Sequence, residues 1–196
     1  MTSGVLSANH RALFERTVGD EIQGVLSTAD AVTRSIVTLT NVGRWRIGVG
    51  VGSVVRPLPR STRAASGPAF LAAREAIEAA RTSPVDLAVR VAPGDRTGEV
   101  GGELYADAQR SAHLAEGVLW LAVSAMRRRT DEGWEVVEVM NSKHTGRATA
   151  AALGISPSAV SQRLSRASHG EVQRGLEVAA KLLTAADLDT RDGTSS

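Results

Sequence analysis

Arg147-Ala148-Thr149-Ala150-Ala151-Ala152-Leu153-Gly154-Ile155-Ser156-Pro157-Ser158-Ala159-Val160-Ser161-Gln162-Arg163-Leu164-Ser165-Arg166 is the stretch on which the reading of this chain turns. Small Ala150 lets two helices approach closely, and Leu153 and Ile155 bracket a turn whose apolar side chains face inward. Gly154 tolerates the left-handed backbone that ends a first helix. Ser156 suits the N-cap of a second, with Pro157 in the first turn, where a missing N–H costs nothing. Val160 and Leu164, four apart, anchor one face of that helix. The other face offers Ser158, Ala159, Ser161, Gln162, Arg163 and Arg166, groups able to meet bases and phosphates. The pattern predicts a helix-turn-helix, extending from about Gly133 through Arg166, with Trp134, Val137, Val139 and Met140 in its supporting first helix. An ordinary helical hairpin is the plainer alternative. No hairpin signal follows Gly170, so no wing is expected.

Charge points the same way. The net charge of +2 says little, but its distribution is uneven. Val139 to Gly170 contains no Asp or Glu and keeps Lys143, Arg147, Arg163 and Arg166, as a phosphate-facing surface requires. Lys143 and Arg147 are read as phosphate contacts. A second acid-free stretch, Val51 to Arg74, is read as a solvated loop and helix start. At 196 residues, with 42% hydrophobic and 22% charged, the chain can fill one ordinary domain or two small ones. It has no cysteine, which removes disulfides and thiolate metal sites. Val118–Val123 is the greasiest run and far too short to span a bilayer. With no secretory pattern at Met1–Gly4, the expectation is a cytoplasmic protein without a membrane partner.

The first half alternates strand and helix signals. Leu13–Val18 and Glu21–Leu26 flank Gly19-Asp20, a hairpin turn pair. Ser27 and Thr28 can cap a helix carrying Val32, Ile36 and Leu39, closed by Gly43. Arg44–Val55 reads as a strand, Pro68 to about Arg81 as a helix and Val85–Val91 as another strand, with a glycine-rich loop over Pro93–Gly102. Gly48, Gly50 and Gly52 fall on one strand face, which admits a closely packed helix. Beyond Gly102 the chain reads as wholly helical, with Gly117 as a break. The four histidines, His10, His113, His144 and His169, show no metal-ligand spacing.

Several of these segments resemble the SatD family: Arg16–Val25 its Gly-Asp-Glu hairpin, Arg46–Gly52 its glycine-bearing strand, Gly67-Pro68 with Ala72–Ile77 its next helix, and Ile155–Arg163 its C-terminal helix-turn-helix. Through the same motifs the N-terminal half resembles, more distantly, class III nucleotide cyclases and their palm-like ferredoxin fold. In such cyclases paired carboxylates hold metal ions. Asp20 matches the hairpin carboxylate and Arg74 the helix arginine, so these two are the candidates for a nucleotide or metal contact. The first-strand carboxylate has no counterpart, because Met1–Ala12 contains no acid, and Phe70 stands where an orienting Asn is required. The resemblance also implies an apolar strand and a long helix ahead of the hairpin. About a dozen residues precede Leu13, too few for both at usual lengths. The chain is therefore expected to lack its proper first strand, leaving residues 1–103 weakly stable while 104–190 folds alone.

Together these observations predict an α+β protein: an incomplete palm-like α/β domain over 1–103, an all-α helix-turn-helix domain over 104–190 and a disordered tail over 191–196. The expected function is that of a DNA-binding transcriptional regulator, not an enzyme. It would act without cofactor or metal, as a homodimer on double-stranded DNA with Val118–Val123 supplying partner contacts, and with a nucleotide as the conceivable effector. The alternative is a nucleotide-binding or cyclase-like enzyme whose C-terminal helices serve dimerisation.

Overall fold

A computed structural model describes residues 13–16, 21–57, 64–94 and 98–187. The Gly19-Asp20 turn, Arg60, Arg63, the segment ahead of Leu13 and the tail lie outside the described residues, and with them the expectations placed there. The described part is mixed α+β and mostly helical. Strand β1 (Leu13–Arg16) pairs antiparallel with β2 (Ile22–Val25), Leu13 opposite Val25. Helix α1 (Ala29–Val42) starts where Thr28 accepts the Ala31 N–H at 3.2 Å. Strand β3 (Ile47–Val51), helix α2 (Pro68–Ala80) and strand β4 (Leu87–Val91) form a βαβ unit, β3 parallel to β4 with Ile47 opposite Leu87. Helices α3 (Gly98–Met126), α4 (Asp131–Lys143), α5 (Gly146–Leu153), α6 (Pro157–Arg166) and α7 (His169–Ala186) complete the order.

The glycines of β3 are there for α2. A Cβ on Gly48 would sit 2.6 Å from the Ile77 nitrogen, and one on Gly50 would run into the Ala69 oxygen and Ala73 nitrogen. Helix α2 answers with alanines, burying Ala72, Ala76 and Ala80, so two backbones approach closely. The close-packing reading of that face therefore holds, and the space a ligand would need is filled. On the other face Val49 and Val51 of β3, with Leu87, Val89 and Val91 of β4, join α1, α3 and α7 in one core containing Ile36, Leu119, Val123, Met126, Leu176 and Leu183. Burying each large aliphatic there contributes roughly 1.5–3 kcal/mol.

The two outer edges of this sheet differ. On β4 the Leu87 N–H donates to Ser83 Oγ at 2.8 Å, and the Leu87 carbonyl accepts from Trp120 Nε1 at 2.8 Å. The Val89 N–H donates to Glu116 Oε2 at 2.7 Å, and Tyr105 donates to the Val91 carbonyl at 3.3 Å. Side chains thus close that edge. On β3 the register turns the backbone groups of Ile47 and Val51 toward β4 and those of Gly48 and Gly50 outward, where no strand pairs with them among the described residues.

Three expectations change at this level. The glycine-rich loop was expected to run to Gly102, yet α3 begins at Gly98, and it passes through Gly117 without a break. Burial of Ala108, Ala112, Ala115 and Leu119 outweighs about 1 kcal/mol per helical glycine. The boundary expected at 103/104 falls inside α3, whose buried face shares one core with β4 and α1. A chain cut there would strip α3 of the strand it covers and α7 of the helix α1 packed against it. What forms a separate small core is α4 to α6: Val136, Val137, Ala150, Val160 and Ala167, with Leu153, Ile155 and Leu164 against them. Among the described residues no helix is long and apolar enough to cross a membrane.

Candidate nucleic-acid interface

Caps set the three helices of the small core. Thr130 accepts the Gly133 N–H at 3.2 Å, Thr145 that of Ala148 at 3.2 Å and Ser156 that of Ala159 at 3.1 Å. Each satisfies an amide that the first helical turn would leave unpaired. Helix α4 ends at His144 with φ 62° and α5 at Gly154 with φ 66°. The Gly154 N–H bonds back to the Ala150 carbonyl, as does that of Ile155 at 3.1 Å, which closes the turn and aims α6. Buried Thr149 donates to the Thr145 carbonyl at 2.9 Å, so its hydroxyl does not face the core unpaired. Ala150, 4% exposed, occupies the close-approach position that its size suggested.

One arginine ties this unit to the larger core. Arg129, just beyond α3, stacks 4.7 Å over Trp134 and donates through Nε to the Ala167 carbonyl at 2.8 Å. Trp134 itself packs on the larger core, so α4 reaches both. Burial lowers the pKa of the Arg129 guanidinium. It also lowers that of His169 in α7, with the nearby Arg129 charge adding to the effect. Arg129 Nη2 and His169 Nδ1 are buried atoms with no hydrogen-bond partner among the described residues.

Along α6 the exposed side chains are Pro157, Ser158, Ser161, Gln162, Ser165 and Arg166, while Ala159, Arg163 and Leu164 are half-buried and Val160 is buried. Ser158, Ser161, Gln162 and Ser165 follow helical spacing and make one outward stripe. Ser161 donates to the Pro157 carbonyl at 3.2 Å, leaving its oxygen free to accept. Lys143 at the end of α4 and Arg147 at the start of α5 are exposed. Arg163 differs from the sequence reading: its guanidinium leans toward α4 and lies 3.7 Å from Glu135. That distance is long for a hydrogen bond, and a partly exposed ion pair of this kind contributes about 0–1 kcal/mol, so the side chain is held only loosely. Ser165 was missed, although its position seven after Ser158 is a signal that spacing provides.

The charges on this unit are segregated. Asp131, Glu132, Glu135 and Glu138 are exposed on α4, and the Glu132 carboxyl is held below its usual range by its own backbone N–H and then by Thr130. Helices α5 and α6 carry no acid. A polyanion is repelled from the α4 side and admitted on the α5–α6 side.

The nucleotide candidates are not brought together. Asp20 is outside the described residues, and Arg74 is exposed on α2. A groove of about 650 Å³ does lie between the start of α1, strand β3 and the end of α7, but Asp30, Glu177 and Asp187 line it against Lys181 alone. Among the described residues no group of three His, Cys, Asp or Glu could hold a metal ion.

No family model, curated protein or solved structure matches the chain.

Proposed function

We propose that this chain is a cytoplasmic DNA-binding regulator that lays α6 in the major groove and acts as a dimer. The observation that carries the reading is the outward stripe of α6. Ser158, Ser161, Gln162 and Ser165, with Arg166 beside them, form a polar, acid-free face on a helix aimed by the Gly154 turn and the Ser156 cap. Gln162 has the amide that reads adenine bidentately, and the serines suit base edges or phosphates. Arg166, Lys143 and Arg147 supply sequence-independent attraction, with Arg163 joining them once released from Glu135. Ala159, half-buried, serves as a close-packing position and not as a direct contact. A single unit of this size meets few base pairs, and pairing on half-sites about one helical turn apart is the usual remedy.

Two further parts belong to the same proposal. The α/β part is read as a palm-like domain of SatD type, supported by the glycine-faced βαβ unit. It is read as non-catalytic because Asp20 has no partner carboxylate on a first strand and Phe70 stands where an orienting Asn is required, while the acidic groove beside it disfavours the phosphates of a nucleotide effector.

The test is selection of duplexes from a random library by the full-length protein, followed by sequencing. Enrichment of a two-fold symmetric sequence that Gln162→Ala relaxes at one position per half-site supports the reading. Failure to enrich any sequence at low salt overturns it.

A further inference from the structure

Helix α3 carries an outward stripe that nothing among the described residues covers. Glu103, Asp107, Arg110, Leu114, Gly117, Leu121 and Ser124 recur at alternating spacings of four and three, the period of one helix face meeting another helix, and Arg128 follows at the same interval in the turn just after the helix ends at Met126. At its centre Leu114 is 58% exposed and Leu121 75% exposed, more than the other large apolar side chains of α3 apart from Val100 at the helix start. Between them Gly117 has no atom within 4 Å of where a Cβ would sit. A mid-helix glycine costs about 1 kcal/mol relative to alanine, and no neighbour among the described residues requires it. A glycine flanked by two uncovered leucines is what the close approach of a second helix would require.

We infer that the stripe is the surface on which a second copy of this chain docks, its α3 antiparallel to the first and crossing near Gly117. The stripe is self-complementary in that orientation, as a two-fold interface must be. Leu114 of each copy meets Leu121 of the other. The acidic end, Glu103 and Asp107, meets the basic end, where Arg128 is exposed and forms no ion pair among the described residues. Asp107 already pairs with Arg110 on its own helix, so Arg128 adds to an existing pair. A parallel arrangement would set like charges against each other. The expected contact run Val118–Val123 is thereby narrowed: Leu119 and Val123 are committed to the core, Trp120 to the Leu87 carbonyl, and Leu121 alone is fully exposed. On α7, Gly175 lies against Val118 and Ala122, and Val178 one turn on is 39% exposed, which widens the apolar area beside the stripe.

The inference deepens the DNA-binding reading, and the two fail separately. The mass of the full-length protein is measured by sedimentation, together with that of Leu114→Glu and Leu121→Glu, two exposed positions where a charge leaves the fold intact. The wild type sediments as a dimer, and each variant raises the dissociation constant on the order of 100-fold, because a carboxylate is buried unpaired in both copies. Because the chain has no cysteine, Arg110→Cys and Ser124→Cys report on neighbours without background. Antiparallel pairing cross-links the two variants to each other when they are mixed and leaves either one unlinked by itself, its two copies roughly 20 Å apart at 1.5 Å per residue. A monomeric wild type, unchanged mass in both Glu variants, or cross-linking of either Cys variant to itself in preference to the mixed pair overturns the inference. Loss of DNA binding by a protein that still dimerises and cross-links between 110 and 124 counts against the role of α6 and leaves the α3 surface standing.

Discussion

The larger core and the α4–α6 unit are held by different kinds of interaction. The larger core is long-range: β3 lies on α2 backbone to backbone, and Glu116, distant in sequence from its partner, accepts the Val89 N–H. The small unit is local, each helix set by a threonine or serine cap and turns closed by residues with positive φ. Local determination leaves the outer face of α6 free of structural duties. The outer face can therefore vary in sequence while the scaffold stays fixed. The one member with such a duty, Arg163, is the one that leans away from that face.

The sharpest way to break this contrast is Gly50→Val. The side chain collides with α2 backbone, and overpacking of that kind costs about 1–3 kcal/mol or more. Urea unfolding should show a lower midpoint, while the protein that remains folded binds DNA as before. Equal loss of DNA affinity at fully folded concentrations would mean that the two regions are not independent. Next comes Glu116→Ala, which leaves the buried Val89 N–H and the neighbouring Arg90 without their acceptor. A loss of about 1–3 kcal/mol is expected, and Glu116→Gln, which can still accept from Val89, should recover part of it.

Ser156→Ala tests the small unit. Loss of an N-cap costs about 1 kcal/mol, and amide exchange should quicken in α6 well before it does in β3. Uniform quickening would show that α6 does not open locally. The smallest effect is one of pH. Burial and Arg129 lower the His169 pKa from its ordinary value near 6.5. The neutral ring is therefore favoured in the folded state, with its stabilisation fully present above that ordinary value and lost as pH falls through the lowered one. The melting temperature should fall slightly more between pH 7 and 5 in the wild type than in His169→Gln. An identical pH dependence in both would remove His169 as the cause.

What was legible in the sequence follows the same division. Thr28, Pro68, Gly154 and Ser156 mark ends that the structure reproduces, because caps and left-handed turns are decided by neighbours in sequence. The span of α3 was not legible. Gly98, Gly101, Gly102 and Gly117 read as breaks by intrinsic preference, and only packing on β4 and α7, invisible along the chain, makes the helix continuous. The division at 103/104 failed for the same reason, since a change in element type is not a change of core. The turn of Arg163 toward Glu135 depends on how α4 and α6 pack together, which spacing within α6 cannot show. Ser165 was readable from its interval to Ser158.

The central claim is tested most directly by the salt dependence of DNA affinity for the full-length protein and for Arg166→Ala. Fluorescence anisotropy with a selected duplex, from 50 to 300 mM salt, gives the slope of log affinity against log salt. The wild type should lose affinity steeply, and Arg166→Ala should bind more weakly with a slope reduced by about 1, the signature of one phosphate contact removed. No measurable binding at 50 mM, or identical slopes for Arg166→Ala and wild type, would contradict the assignment of the α6 face to DNA.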